Sequence, residues 1–435
     1  MKNKFIKSTI ILIIGGFFTK VLGLIIKIVL TRFIGTTGIG MYSMLIPTFM
    51  LLNSIAGLGL PTALNVLISS EKYNNKNIVF TSICISLIID MIILILLVFN
   101  YNFFSIKLFN NTKLALGLLS IGFILPFITI SNALRSYFFA KQRMYPHVIT
   151  NIVEDLIRLL LIVIGIPIIM PNGLEYVVAY VLLTNVFSEL SSIIIFLILI
   201  PSFKYKKNEL LPNKKNIKDL LTIALPTTGS RIIGSIGYFF EPIIITYVLI
   251  KIGYSNNFII REYGIINGYV MQLVLLPSFF TAAISQALIP IVSKNYTNRN
   301  FTYIKIKIKQ AIIVSLIIGI PMTFILEIYP DKILYFLFKT KEGISYIKVI
   351  APICLLHYIQ SPISSSLQAM HKSKISMKGT LFGMVLRTLT LFIFSYLKIG
   401  LWSLIIATST NIIFVTLYDL LNVIKILKTP YCKGC

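Results

Sequence analysis

Long apolar runs separated by short polar and basic segments dominate this chain. The runs fall at roughly 8–33, 41–69, 78–100, 114–140, 148–170, 174–200, 221–250, 264–293, 309–329, 344–370, 377–397 and 400–424. Each is near or above the ~20 residues that a helix needs to cross the hydrocarbon core, and the longer ones predict tilt or a kink. The expected fold class is all-α: a polytopic membrane protein with twelve transmembrane helices. Pro47, Pro61, Pro126, Pro226, Pro242, Pro277, Pro290 and Pro362 mark the expected kinks. Asp331 to Phe338 reads as a short interfacial piece.

Composition agrees with the pattern. Of 435 residues, 57% are hydrophobic and 12% charged. Soluble domains carry roughly 25% charged residues, so a soluble fold is excluded. The formal charge of +26 suggests nucleic acid at first sight. Most Lys and Arg, however, sit in loops between apolar runs, where the positive-inside effect places them, and no nucleic-acid-binding motif is present. The basic loops alternate. Lys2, Lys4 and Lys7, then Lys141 and Arg143, then Lys204 to Lys218 lie on one side. Both termini and the loop 201–220 are therefore expected in the cytoplasm, with the chain in the cell membrane. The first run resembles a signal peptide, but it is too long and no small-residue cleavage site follows, so it reads as an uncleaved span.

The loop PSFKYKKNELLPNKKNIKDL at 201–220 divides the chain into an N-terminal six-helix lobe, 1–200, and a C-terminal six-helix lobe with a short tail, 221–435. TKVLG at Thr19 to Gly23 matches SRIIG at Ser230 to Gly234, which pairs Lys20 with Arg231. At a second, common offset Pro61 matches Pro290, Ser136 matches Ser365, Ala140 matches Ala369 and Arg158 matches Arg387. Each half has an even number of spans and both begin inside, so the halves are parallel repeats about an axis along the membrane normal. Transporters of this build bind substrate near mid-membrane between the halves.

Charges at depth supply the candidate chemistry. Lys20 and Lys27 lie within ~20° of each other on one helix face and ~10 Å apart along it. Gly16 and Gly23 share that face, and Gly15, Thr19 and Gly23 form a small-xxx-small ladder beside it. A cation in hydrocarbon costs ~3 kcal/mol or more, so it faces a polar cavity or snorkels to the interface. Lys20 is too deep to snorkel easily. Lys27 is open to either reading, and Arg32, at the end of the span, reads as snorkelling. Two opposed cations, Lys20 and Arg231, suit an anionic ligand. The alternative is that Asp90 or Glu189 neutralises them, and these acids, with Glu241 before Pro242, stand as candidate counter-ion or coupling residues. Glu154 and Arg158, at i and i+4, read as an internal ion pair. Arg387 has no acid four residues away and joins Lys20, Lys27 and Arg231 as a candidate ligand for substrate. Arg135 reads as snorkelling, and Glu327 and Asp419 read as interfacial. His357 reads as a packed or hydrogen-bonded histidine, with a proton relay as the alternative.

No enzyme constellation, cofactor motif or metal-ligand cluster is present: H-E-x-x-H, P-loop and paired-carboxylate patterns are missing. Cys84 and Cys354 read as packing residues, and the C-x-x-C of Cys432 and Cys435 is a weak metal or redox signal. The loops are too short for a nucleotide-binding domain. Energy is expected from an ion gradient, the membrane potential or the substrate's own gradient.

The segments GGFFTKVLGLIIKIVLTRFIGTTGIGMYSMLIP, GLGLPTALNVLIS, PTTGSRIIGSIGYFFEPIII, and YGIINGYVMQLVLLP with ALIPIVS occur in that order. In order and spacing they resemble the stage V sporulation protein B type of polysaccharide-biosynthesis transporter, of the multidrug/oligosaccharidyl-lipid/polysaccharide flippase superfamily. The resemblance implies two six-helix lobes around a V-shaped cavity and alternating access. It implies an undecaprenyl-pyrophosphate-linked oligosaccharide or peptidoglycan precursor as cargo. Lys20, Lys27 and Arg32 stand where related lipid II flippases have basic residues in the first helix, and Arg231 and Glu241 match the seventh-helix pattern. The expected partners are the lipid-linked sugar and membrane lipids, with cell-wall synthesis proteins as a further candidate; no nucleic acid is expected, and the chain is taken to act as a monomer. A cation-coupled drug or metabolite exporter on the same fold, and a non-transporting scaffold of cell-wall assembly, remain the alternatives.

Overall fold

The computed structural model describes residues 2–70, 74–141, 143–200 and 212–428, apart from the side chains of 2–14 and 230. Cys432 and Cys435, and the first half of the basic loop 201–220, lie outside the described residues. Fifteen α-helices follow one another with no strand among the described residues. They are α1 Lys2–Ala56, α2 Leu60–Ser69, α3 Asn75–Phe109, α4 Ala115–Ala140, α5 Tyr145–Ile169, α6 Leu174–Leu199 and α7 Lys214–Lys251, then α8 Asn256–Gly264, α9 Met271–Val274, α10 Ser278–Thr297, α11 Phe301–Ile328, α12 Pro330–Phe338, α13 Ile344–Ala369, α14 Ser373–Ser395 and α15 Trp402–Lys428. Among the described residues, eight helical segments are each long and apolar enough to cross a membrane, and the pair Asn256–Val274 and Ser278–Thr297, bent by 51°, makes a ninth. With α1 divided at its bend and continued by α2, and with the charged α5, these account for all twelve apolar runs.

Three spans differ from the sequence expectation. The polar stretch after Phe33 is no loop: α1 runs from Lys2 to Ala56 with a single non-helical residue, Gly35 (φ 63, ψ −172). That backbone region is open essentially to glycine alone. The second run is broken between Ala56 and Leu60, where Leu58 and Gly59 have positive φ. The eighth run passes through a π-helical turn, Ile265–Val270, and then breaks between Val274 and Ser278. The stretch that begins at Asp331 lies in the short helix α12.

The chain forms two compact units, residues 1–243 and 244–435. In the first, α4 is the central helix and packs against α6, α3 and α2. Leu64 and Ile68 of α2, Leu134 and Phe138 of α4, Phe196 of α6 and Leu220 of α7 are buried together. Phe138 and Phe196 stack with centroids 5.4 Å apart. In the second unit α13 is central and packs against α15, α10 and α11. Its core joins Leu288 and Val292 to Ile304, Ile363, Leu367 and Val423. Ile363 and Leu367 stand at the repeat offset from Leu134 and Phe138, so each half builds its core on the same helix. Lipid is as apolar as leucine, so close packing rather than water exclusion holds these seams.

The break in the first unit seats α7. A Cβ added at Gly59 would lie 2.1 Å from Thr227 Oγ1 and 2.8 Å from the carbonyl oxygen of Ala224. Gly59 also has φ 60. Gly59→Ala therefore combines left-handed backbone strain with overpacking, about 2–4 kcal/mol in all. The expected outcome is a lower melting temperature in detergent, and an unchanged one would show that α7 is not seated here.

Candidate functional site

The face of α1 that carries Lys20 is open. Lys20 and Lys27 are both exposed. A Cβ added at Gly16 or Gly23, on the same face, would meet nothing within 4 Å. Gly15, beside it, is the close-approach residue: its Cβ would lie 2.3 Å from Val148 Cγ1 of α5. The small-residue ladder thus serves helix contact at Gly15 and leaves free space at Gly23.

Arg231 lies in the part of α7 that belongs to the same unit. Its side chain is exposed and donates from Nη2 to Thr62 Oγ1 of α2 at 3.1 Å. One turn on, Ser235 Oγ lies 3.1 Å from Ser54 Oγ of α1. Gly229 and Gly234, which flank Arg231, also have nothing within 4 Å of an added Cβ. Among the described residues, no carboxylate lies within ion-pair distance of Lys20 or Arg231.

The deep acids are buried. Asp90 of α3 is fully buried, and its Oδ2 accepts from Thr129 Oγ1 of α4 at 2.5 Å. Glu189 of α6 is buried within electrostatic reach of Arg135, Arg158 and Glu154. Glu241 is buried in α7 directly before Pro242. Glu154 of α5 is a hub: its Oε1 accepts from Arg158 Nη2 at 2.7 Å, and its Oε2 from Arg135 Nη2 at 3.4 Å and Ser192 Oγ at 3.2 Å. Arg158 also reaches Asp155 at 3.4 Å and Ser188 at 3.3 Å. Arg135 is therefore a member of this network that ties α4, α5 and α6, and the snorkelling expectation for it is corrected.

The second unit holds Arg387, buried on the face of α14 formed by Gly379, Gly383, Arg387 and Leu391. This is the seam with α15: a Cβ at Gly383 would lie 2.3 Å from Val415 Cγ2, and one at Gly379 would lie 2.6 Å from Tyr418 Cδ1. Asp419 of α15 is fully buried rather than interfacial. Its Oδ2 accepts from Ser364 of α13, and from Ser376 of α14 at 3.4 Å. His357 is half-buried with Nδ1 3.3 Å from Gln360 Oε1. Sequence reasoning missed Asp419 as a packing hub and the lining formed by His357 and Gln360 with α10. The run SPISSS at Ser361 to Ser366, polar on an otherwise apolar helix, was the available signal. Among the described residues no group of His, Cys, Asp and Glu could hold a metal ion.

Residues 5–296 match the family described as polysaccharide biosynthesis protein, and residues 267–393 match MatE. The chain belongs to the polysaccharide biosynthesis protein family. It is 32% identical to stage V sporulation protein B of Bacillus subtilis (strain 168), over 98% of this chain and 85% of that protein. The fold is shared with an inward-facing multidrug resistance MATE family transporter of the MOP superfamily, with a TM-score of 0.74, 17% identity and coverage of 95% of this chain and 96% of that one. It is also shared with the lipid II flippase MurJ in its inward closed conformation, with a TM-score of 0.71, 19% identity and coverage of 94% and 86%. This family member is thus a multi-pass membrane protein with the fold of those transporters.

Proposed function

We propose that this chain is a flippase that carries a lipid-linked oligosaccharide or peptidoglycan precursor, on undecaprenyl pyrophosphate, across the cytoplasmic membrane by alternating access. The observation that carries this reading is the pair Lys20 and Arg231. Both are exposed, and both stand near the middle of their apolar runs at one repeat position, with no carboxylate partner among the described residues. A diphosphate supplies the missing negative charge. Arg231 offers a fork of donors and Lys20 a point charge. Lys27 extends the cationic face of α1, while Arg387 belongs to the packing seam of the other unit and contributes less directly. Asp90, Glu189 and Glu241 are buried, and they keep the bundle's charge tolerable when no substrate is bound. An inside-negative potential assists outward movement of the anionic head group by ~2.3 kcal/mol per charge per 100 mV.

The test is reconstitution of the purified chain into liposomes with fluorescent lipid-linked sugars of defined head group. Movement across the bilayer is expected, faster with an inside-negative potential. If no pyrophosphate-linked sugar moves, the reading fails. A cation-coupled exporter is the second reading, suggested by the buried carboxyl of Asp90, which no cation pairs with among the described residues. It predicts protection of cells against cationic dyes that disappears in Asp90→Asn.

A further inference from the structure

The second unit contains a cavity of about 300 Å³ at the broken eighth span. Irregular backbone at membrane depth is tolerated where it is buried in protein or lines a cavity. Here both apply. Tyr358 of α13 donates its hydroxyl to the carbonyl of Val274 at 2.5 Å, and Ser278 Oγ donates to the carbonyl of Leu275. The carbonyls of Val274 and Leu275 are thus satisfied by side chains. Ser278 and Thr281 of α10 line one wall of the cavity, and His357, Gln360, Ser361 and Ser364 of α13 line the other.

Among the described residues, no Asp, Glu, Lys or Arg lines this cavity. Its hydrogen-bonding groups are nonetheless arranged by neighbours. Ser364 gives its proton to Asp419, so its oxygen is left as an acceptor. His357 Nδ1 donates to Gln360 Oε1, which leaves the Gln360 amide N–H groups as donors and His357 Nε2 as an acceptor. Ser285 gives its hydroxyl proton to the carbonyl of Thr281 at 2.7 Å, so Ser361 Oγ donates to Ser285 Oγ at 2.8 Å and is itself left as an acceptor. The Gln360 amide donors therefore stand among acceptors on one wall. A cation requires acceptors alone, and a phosphate or carboxylate requires donors with compensating positive charge. Hydroxyl groups are both donor and acceptor, and they match this set. The volume is at the lower end of the ~300–1,000 Å³ of small-molecule pockets, enough for a single ring. Ala282, small and exposed, lies at the rim.

We propose that this cavity is a subsite for an uncharged, hydroxyl-rich ring, a neutral hexose or hexosamine. The identity of the ring as part of a transported lipid rests on the flippase reading, but the binding itself does not. The first arm of the test is saturation-transfer NMR with the purified chain in detergent, using N-acetylglucosamine and glucuronate as probes. N-acetylglucosamine is expected to bind and glucuronate not. Gln360→Ala should weaken N-acetylglucosamine roughly tenfold, and Ala282→Phe, which fills the mouth and removes no hydrogen bond, should weaken it likewise. Equal binding of both probes, or unchanged affinity in both variants, overturns the proposal. The second arm compares undecaprenyl pyrophosphate with and without a neutral sugar in liposomes. In Gln360→Ala the ratio of glycosylated to sugar-free movement should fall about tenfold, and an unchanged ratio overturns the subsite's role in transport. If the wild type moves neither lipid, the flippase reading fails, and the NMR arm still decides the subsite.

Discussion

Arg231→Ala slows movement of an undecaprenyl-pyrophosphate-linked sugar by tenfold to a hundredfold, to order of magnitude, in reconstituted liposomes. A hydrogen bond to a charged group contributes roughly 1.5–3 kcal/mol, and each ~1.4 kcal/mol is a factor of ten. The guanidinium of Arg231 is anchored by one contact, to Thr62, and its other donors face open space. Arg231→Lys keeps the charge and loses the fork, so it should recover part of the rate. Lys20→Ala should act in the same direction. If both side chains hold one diphosphate, the double variant is less impaired than the product of the singles. None of these changes removes an ion pair of the bundle, so expression and melting temperature stay near wild type. Wild-type rates in both single variants would sink the assignment of these two residues.

Glu154→Gln lowers the thermal stability of the chain in detergent. Glu154 receives Arg158, Arg135 and Ser192, and its side chain is 12% accessible. Breaking one partner of a buried pair costs about 3–5 kcal/mol, because the remaining charge is left uncompensated. The arginines retain 23% accessibility, which puts the expected loss toward the lower bound. Removing Arg158 as well should cost less than the sum of the single changes, the signature of direct coupling. A melting temperature for Glu154→Gln equal to that of wild type would mean that the network ties no helices together.

The spans were legible because length and apolarity are local properties of the chain. Lateral facing was not. Asp419 lies near the end of its apolar run, which suggested the interface, yet its partners Ser364 and Ser376 come from two other helices. Arg135 was misplaced for the same reason, since Glu154 is on the next helix. The stretch after Phe33, with Gly35, Thr36, Thr37 and Gly38, carries every loop signal. The helix continues nonetheless: Gly38 is buried, and only Gly35 leaves the helical conformation. Lys20 and Arg231 stand out in the sequence as a pair because they recur at one repeat position. The polar cavity of the second unit escaped because its walls come from helices far apart in sequence.

The bend at Gly35 has a mechanical consequence. With one residue at the corner, the two arms of α1 form a crank rather than two rods on a string. Motion of the arm that bears Lys20 reaches Ala56, and the broken stretch that holds Gly59, with no slack coil to absorb it. A few flexible residues inserted at Gly35 would free the arms from each other while leaving each helix whole.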